Sequence, residues 1–153
     1  MKEYKKLNNY TGWITFLIAL IVYSITVEDT ASFWDAGEFI AVSSKLEVPH
    51  PPGAPFYLLL GRFFSFFSFG DPEKIALAIN FLSVVSSAFT ILFLFWTITY
   101  LTSKIIKTDS FNNILLVLIS GLTGALTFTF TDSFWFSAVE AEVYAMSSFF
   151  TAF

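Results

Sequence analysis

Uncharged apolar runs set the layout of this chain. Thr11 to Val27 (TGWITFLIALIVYSITV) contains no charged residue. As a helix it reaches about 26 Å, enough to cross a bilayer once its flanks are added. Ile75 to Leu101 is a second such run, longer than a bilayer needs, which predicts a tilted or projecting helix. Ile114 to Thr131 is a third, and its Gly121 and Gly124 present a small-x-x-small face suited to close helix packing. A fourth run starts near Val143 and reaches Phe153, the last residue of the sequence, within 11 residues. A span takes roughly 20 residues, so the chain reads as the front piece of a longer protein.

Between these runs the polar residues divide by sign. Lys2, Lys5 and Lys6 precede the first run and Lys104 and Lys107 follow the second. The first run lacks a small-residue cleavage site after it (SITVEDT), so it reads as a retained anchor, not a signal peptide. Ala54 to Phe69 (APFYLLLGRFFSFFSF) is short for a span and has Arg62 at its centre. If it does not cross, all five of those lysines fall on the cytoplasmic side, as the positive-inside rule prefers. Ten of the twelve acids then face outward. The segment becomes an amphipathic or re-entrant helix at the outer surface. Arg62 then snorkels to the interface or meets an anionic ligand.

Composition agrees with a membrane protein: 56% of residues are hydrophobic, 13% are charged and mean hydropathy is +0.70. Soluble domains carry about 25% charged residues. With no basic tract, a nucleic-acid partner is not expected. With no cysteine, disulfides, thiolate metal sites and a cysteine nucleophile are excluded.

Two outer polar segments carry the candidate chemistry, and polar groups at the mouth of a span are costly enough to suggest a site. In Phe33–Gly53 the pattern predicts a helix from Ser32 to about Leu46. Ser32 and Asp35 stand at capping-box spacing, Asp35 and Glu38 share a face, and Lys45 lies near it. Phe33, Ala36 and Ile40 form the opposing face, expected to lie on the bilayer. Asp35 either caps the helix or accepts a proton from a nucleophile. His50, the lone histidine, sits in the rigid strap Pro49-His50-Pro51-Pro52-Gly53. It could bind phosphate, relay a proton, ligate a metal or simply hold the strap. A divalent ion on Asp35 and Glu38 is chemically permissible, but the spacing does not indicate one, and no cofactor is expected. In Asp132–Glu142, Ser137 and Glu140 stand at capping-box spacing and Trp135 suits the interfacial aromatic belt.

Three ordered blocks resemble a known family: Trp34-Asp35-Ala36-Gly37-Glu38-Phe39-Ile40, His50-Pro51-Pro52-Gly53-Ala54-Pro55, and Phe134-Trp135-Phe136-Ser137-Ala138-Val139-Glu140-Ala141-Glu142-Val143-Tyr144. They are similar to the N-terminal part of a family of large multi-span proteins, long known as a domain of unknown function. Its members are bacterial proteins and a eukaryotic transmembrane protein O-mannosyltransferase. The family is in turn similar to the GT-C class of glycosyltransferases. The resemblance implies an all-α integral membrane protein, a GT-C-like multi-span bundle with juxtamembrane helices in the first outer loop (28–74). It implies a polyprenyl-phosphate sugar donor, a protein or glycan acceptor and transfer on the extracytoplasmic side. Asp35, with Glu38 nearby, matches the essential acid as general base. His50, Arg62 and Glu140 are the expected substrate or phosphate contacts. The adjacent acid pair of protein O-mannosyltransferases is here three residues apart. The expected location is a multi-pass position with a cytoplasmic N-terminus, in a bacterial inner membrane. Two other classes fit the same pattern: a transporter or flippase of a lipid-linked solute, and a non-catalytic assembly subunit.

Overall fold

The computed structural model describes residues 2–153. It is all-helical: α1 (Lys2–Thr26), α2 (Ala36–Lys45), α3 (Pro55–Ser65), α4 (Ile75–Ile105), α5 (Phe111–Thr129), α6 (Asp132–Val139) and α7 (Val143–Ala152). Helices α1, α4 and α5 are long and apolar enough to cross a membrane. Helix α3 has 11 residues, about 16 Å, too few to do so.

Helix α4 is the central pillar, and α1, α3, α5, α6 and α7 all pack on it. It is apolar all round, as a helix with neighbours on every side must be. Helices α1 and α5 run antiparallel to it. At one end of the bundle Tyr4 of α1 donates to the Thr99 carbonyl, and the Ser120 hydroxyl donates to that of Thr102. At the other end the buried Tyr23 hydroxyl donates to the Thr129 carbonyl at 2.9 Å. The expected glycine face is used. A Cβ on Gly121 would lie 2.5 Å from Thr99 Cγ2, and one on Gly124 would lie 2.6 Å from Ile98 Cδ1.

This arrangement separates charge along the bundle axis. Lys5, Lys6, Lys104 and Lys107 lie at the end where α1 begins and α4 ends. Glu28, Asp29, Asp35, Glu38, Glu47, Asp71, Glu73, Asp132, Glu140 and Glu142 all lie at the opposite end, in the loops and short helices beyond the three long helices, together with Lys45, Arg62 and Lys74.

Three expectations about the acidic end fail. The first-loop helix starts at Ala36, four residues after Ser32, because Trp34 takes a left-handed backbone (φ 60°) that a helix cannot include. Ser32 is therefore no cap. The face containing Ala36 and Ile40 does not lie on the bilayer; with Phe39 and Val42 it is buried against Tyr57, Leu58, Ile79, Leu82 and Ala141. The Ser137–Glu140 capping box does not form either. Ser137 lies inside α6, bonded to the Ser133 carbonyl, and Glu140 follows the helix end. Trp135 is half-buried at this end of the bundle, with its ring 5.9 Å from that of Tyr23.

Candidate active site

The two acidic loops are stitched together by the backbone at the end of the bundle. Buried Asn80 of α4 donates through Nδ2 to the carbonyls of Glu28 (2.7 Å) and Thr30 (3.1 Å). The Glu28 N–H donates to the Val139 carbonyl at 3.0 Å, tying the exit of α1 to the end of α6. Four residues further on, the Ser32 hydroxyl donates to the Glu140 carboxylate. These ties carry the chain to Asp35 and set it beside the α6–α7 turn.

Asp35 occupies the position before α2, yet its carboxylate does not cap the helix and is exposed. Glu38, one turn on, is taken by the proline strap. The His50 backbone N–H donates to Glu38 Oε1 at 2.8 Å, and His50 Nδ1 lies 2.7 Å from Glu38 Oε2. The side-chain bond between them raises the His50 imidazole above its ordinary range and lowers the Glu38 carboxyl below its own. The strap reaches Glu38 because α2 ends in a tight closure. Leu46 is left-handed (φ 55°) and the Glu47 N–H returns to the Val42 carbonyl at 3.0 Å.

A cleft of about 240 Å³ results, lined by Asp35, Phe39, His50, Pro52, Gly53, Ala54, Glu142, Val143 and Tyr144. A second depression of about 250 Å³ opens off it between Trp34, Asp35, Ser137, Glu140, Glu142 and Tyr144. On the other face of the strap is an apolar groove. Leu46, Val48, Pro49, Pro55, Leu58 and Leu59, with Glu47 as the one charged residue, line it together with the same Pro52, Gly53 and Ala54. Trp34, 93% exposed, stands at the rim.

Of the residues expected from sequence, Asp35, Glu38 and His50 come together: each offers a ligand-type atom, all within 4.8 Å of one another. Glu140 is next to them, bonded to Ser32. Arg62 is not. Its guanidinium donates to the Ser44 carbonyl and lies 5.0 Å from the Phe66 ring, so it clamps α3 to α2 instead of lining the cleft. The residue missed is Glu142. It is 92% buried, lines the cleft, and its carboxyl is pushed up by burial first, then by Glu140 and Asp35. Its place two residues after Glu140, within the third block of the resemblance, was the hint the sequence offered.

The fold and cleft define a helical membrane protein with an acidic site at one end of its bundle. Residues 35–153 match the family model for the protein O-mannosyl-transferase TMEM260 N-terminal domain, and the chain belongs to that family. It is 32% identical over 139 residues to the protein O-mannosyl-transferase tmem260 of Dictyostelium discoideum, covering 91% of this chain and 15% of the relative. It is 26% identical over 136 residues to protein O-mannosyl-transferase TMEM260 of Mus musculus, covering 88% and 17%. The chain thus spans 15–17% of the length of these curated relatives. Both are eukaryotic, so the expectation of a bacterial inner membrane finds no support in them. No solved structure matches the chain.

Proposed function

We propose that this chain is the N-terminal part of a GT-C-type glycosyltransferase. It moves a sugar, mannose by the names of its relatives, from a polyprenyl-phosphate donor to an extracytoplasmic acceptor such as a protein hydroxyl. One observation carries the proposal. Asp35 presents an uncommitted carboxylate in a polar cleft whose strap wall forms, on its other face, an apolar groove. That pairing suits a donor with a charged, sugar-bearing head and a lipid tail.

Asp35 takes the acceptor hydroxyl proton as the oxygen attacks the anomeric carbon. The bond from that carbon to the phosphate oxygen breaks, and the electron pair leaves with the polyprenyl phosphate. Glu38 holds His50 in place at the cleft wall. His50, raised in proton affinity, is suited to the departing phosphate. The lysine end of the bundle faces the cytoplasm and the acidic end the opposite compartment. A site at the bundle end favours transfer over transport, since transporter sites lie near the bilayer midplane.

The test is Asp35→Asn in the full-length protein, with transfer from a polyprenyl-phosphate mannose donor to an acceptor peptide. A positioned general base contributes roughly 10²–10⁴-fold, and a loss of that size is expected. Undiminished transfer overturns the assigned role.

A further inference from the structure

Packing does not account for Trp34. Its side chain is 93% exposed, so it adds almost nothing to the core. Its backbone is left-handed (φ 60°), a region that bulky side chains rarely enter. Such a conformation is costly and persists where the surroundings fix it, which is often at a ligand site. Two ties fix it: the Ser32 hydroxyl bonds Glu140 just before it, and α2 begins just after it. The indole is thereby held at the depression of about 250 Å³ whose other walls are Asp35, Ser137, Glu140, Glu142 and Tyr144. Tyr144 supplies a second aromatic ring, 65% exposed.

The polar walls of this depression offer acceptors. One Glu140 oxygen takes the Ser32 bond, Glu142 accepts from the Val143 N–H, and the Ser137 proton points to the Ser133 carbonyl. The Asp35 carboxylate makes no cap bond. A ligand here must therefore bring its own donors. Among the described residues no lysine, arginine or histidine lines the depression, so a phosphate would meet only acceptors. Four polar walls likewise do not suit a lipid tail. A sugar ring fits both demands. Its C–H face lies against the negative face of an aromatic ring, and its hydroxyls donate to carboxylates.

We infer that this depression holds the sugar ring of the donor, with Trp34 as the platform on which the ring stacks. The inference deepens the transferase reading and rests on it for the identity of the ligand. It is the donor's sugar, not a sugar on the acceptor, because the depression is continuous with the strap cleft. The two share Asp35, Glu142 and Tyr144 as walls. The donor then lies in one line: its tail in the groove beyond the strap, its phosphate beside His50, its ring on Trp34. Asp35 stands at the junction of cleft and depression, where the anomeric carbon falls. Trp34 is on this account a specificity-determining residue, reading the sugar and not the phosphate.

The test uses the full-length protein in detergent and radiolabelled polyprenyl-phosphate mannose, displaced by the same unlabelled lipid or by sugar-free polyprenyl phosphate. The ratio of the two affinities measures what the sugar contributes. Trp34→Gly removes the ring and adopts φ 60° freely, so the fold is kept, which thermal unfolding checks. It should lower the ratio about tenfold, as expected for losing one apolar contact on the ligand. Trp34→Phe should keep most of the ratio, and the donor KM of Trp34→Gly should rise while the acceptor KM holds. Phe33→Ala, at an exposed aromatic residue outside the depression, should leave the ratio as in wild type. An unchanged ratio in Trp34→Gly overturns the inference. So does an equal loss in Phe33→Ala, which would mark both residues as membrane anchors, or a defect confined to the acceptor KM. Sugar transfer on the same samples separates the two claims. A sugar preference that depends on Trp34, with no transfer, sinks the transferase reading and leaves the subsite. Full transfer by Trp34→Gly at unchanged donor KM does the reverse.

Discussion

The contact that holds the active-site hairpin together is the approach of α3 to α2 at Gly61, and replacing that glycine by alanine tests it. A Cβ there would lie 2.6 Å from Ser43 Oγ and 2.9 Å from Ser43 Cβ, where ordinary contact begins at 3.4 Å. The hydroxyl can rotate away, but Ser43 Cβ is fixed to the α2 backbone. The helices must therefore part by about 0.5 Å. Overpacking a tight contact costs about 1–3 kcal/mol, and an obstruction anchored to the backbone belongs in the upper half of that range. Alanine recovers up to about 1 kcal/mol of helix propensity over glycine. Gly61→Ala should thus destabilise by about 1–2 kcal/mol, read by denaturant unfolding in mixed micelles. In a Ser43→Gly background the same change should cost less than about 0.5 kcal/mol, because the obstructing atoms are gone; the double-mutant cycle isolates this coupling. A Gly61→Ala protein as stable as wild type, or one whose loss is the same in both backgrounds, would refute the reasoning.

Two further predictions concern the same end of the bundle. The His50 imidazole should titrate above its ordinary 6.5, and Glu38→Gln should lower the midpoint, as read by NMR. His50 contributes its stabilisation at low pH and loses it as pH rises through its raised midpoint; Glu38 loses its own as pH falls through its lowered one. The pair is therefore strongest between the two, and an unchanged His50 midpoint in the variant would exclude the contact. Asn80→Ala leaves the Glu28 and Thr30 carbonyls without their donor, at a cost of about 1–3 kcal/mol. Amide exchange should quicken across residues 28–35 but not in α5, and uniform exchange would show that Asn80 does not anchor the loop.

The candidate site was partly legible along the chain. Asp35 and Glu38 share a helix face by spacing alone, and the proline strap marks His50 as held in a rigid segment. The partnership of Glu38 with His50, 12 residues apart, depends on how α2 ends and the strap turns back, which no local pattern encodes. Arg62 misled because its isolation in an apolar stretch suits a lipid anchor, while the nearest acceptor is a backbone carbonyl that sequence does not display. Ser32 and Ser137 misled for a related reason. Short capping motifs compete with tertiary partners, and Glu140 is an acceptor brought from 108 residues away.

By itself the sequence determined that this is a helical membrane protein with most of its acids and most of its lysines segregated by connection. Uncharged runs of bilayer length permit little else, since backbone groups in lipid must be satisfied within the helix. The Gly121 and Gly124 contacts follow from the same local logic. Tertiary structure decided which of the acids share a cleft. Asn80, Glu28 and Ser32 draw two distant loops together, and only then does Glu142 become a buried carboxylate facing Asp35. Burial and charge proximity are properties of neighbours in space, so the chemistry of this site depends on residues far apart in the chain.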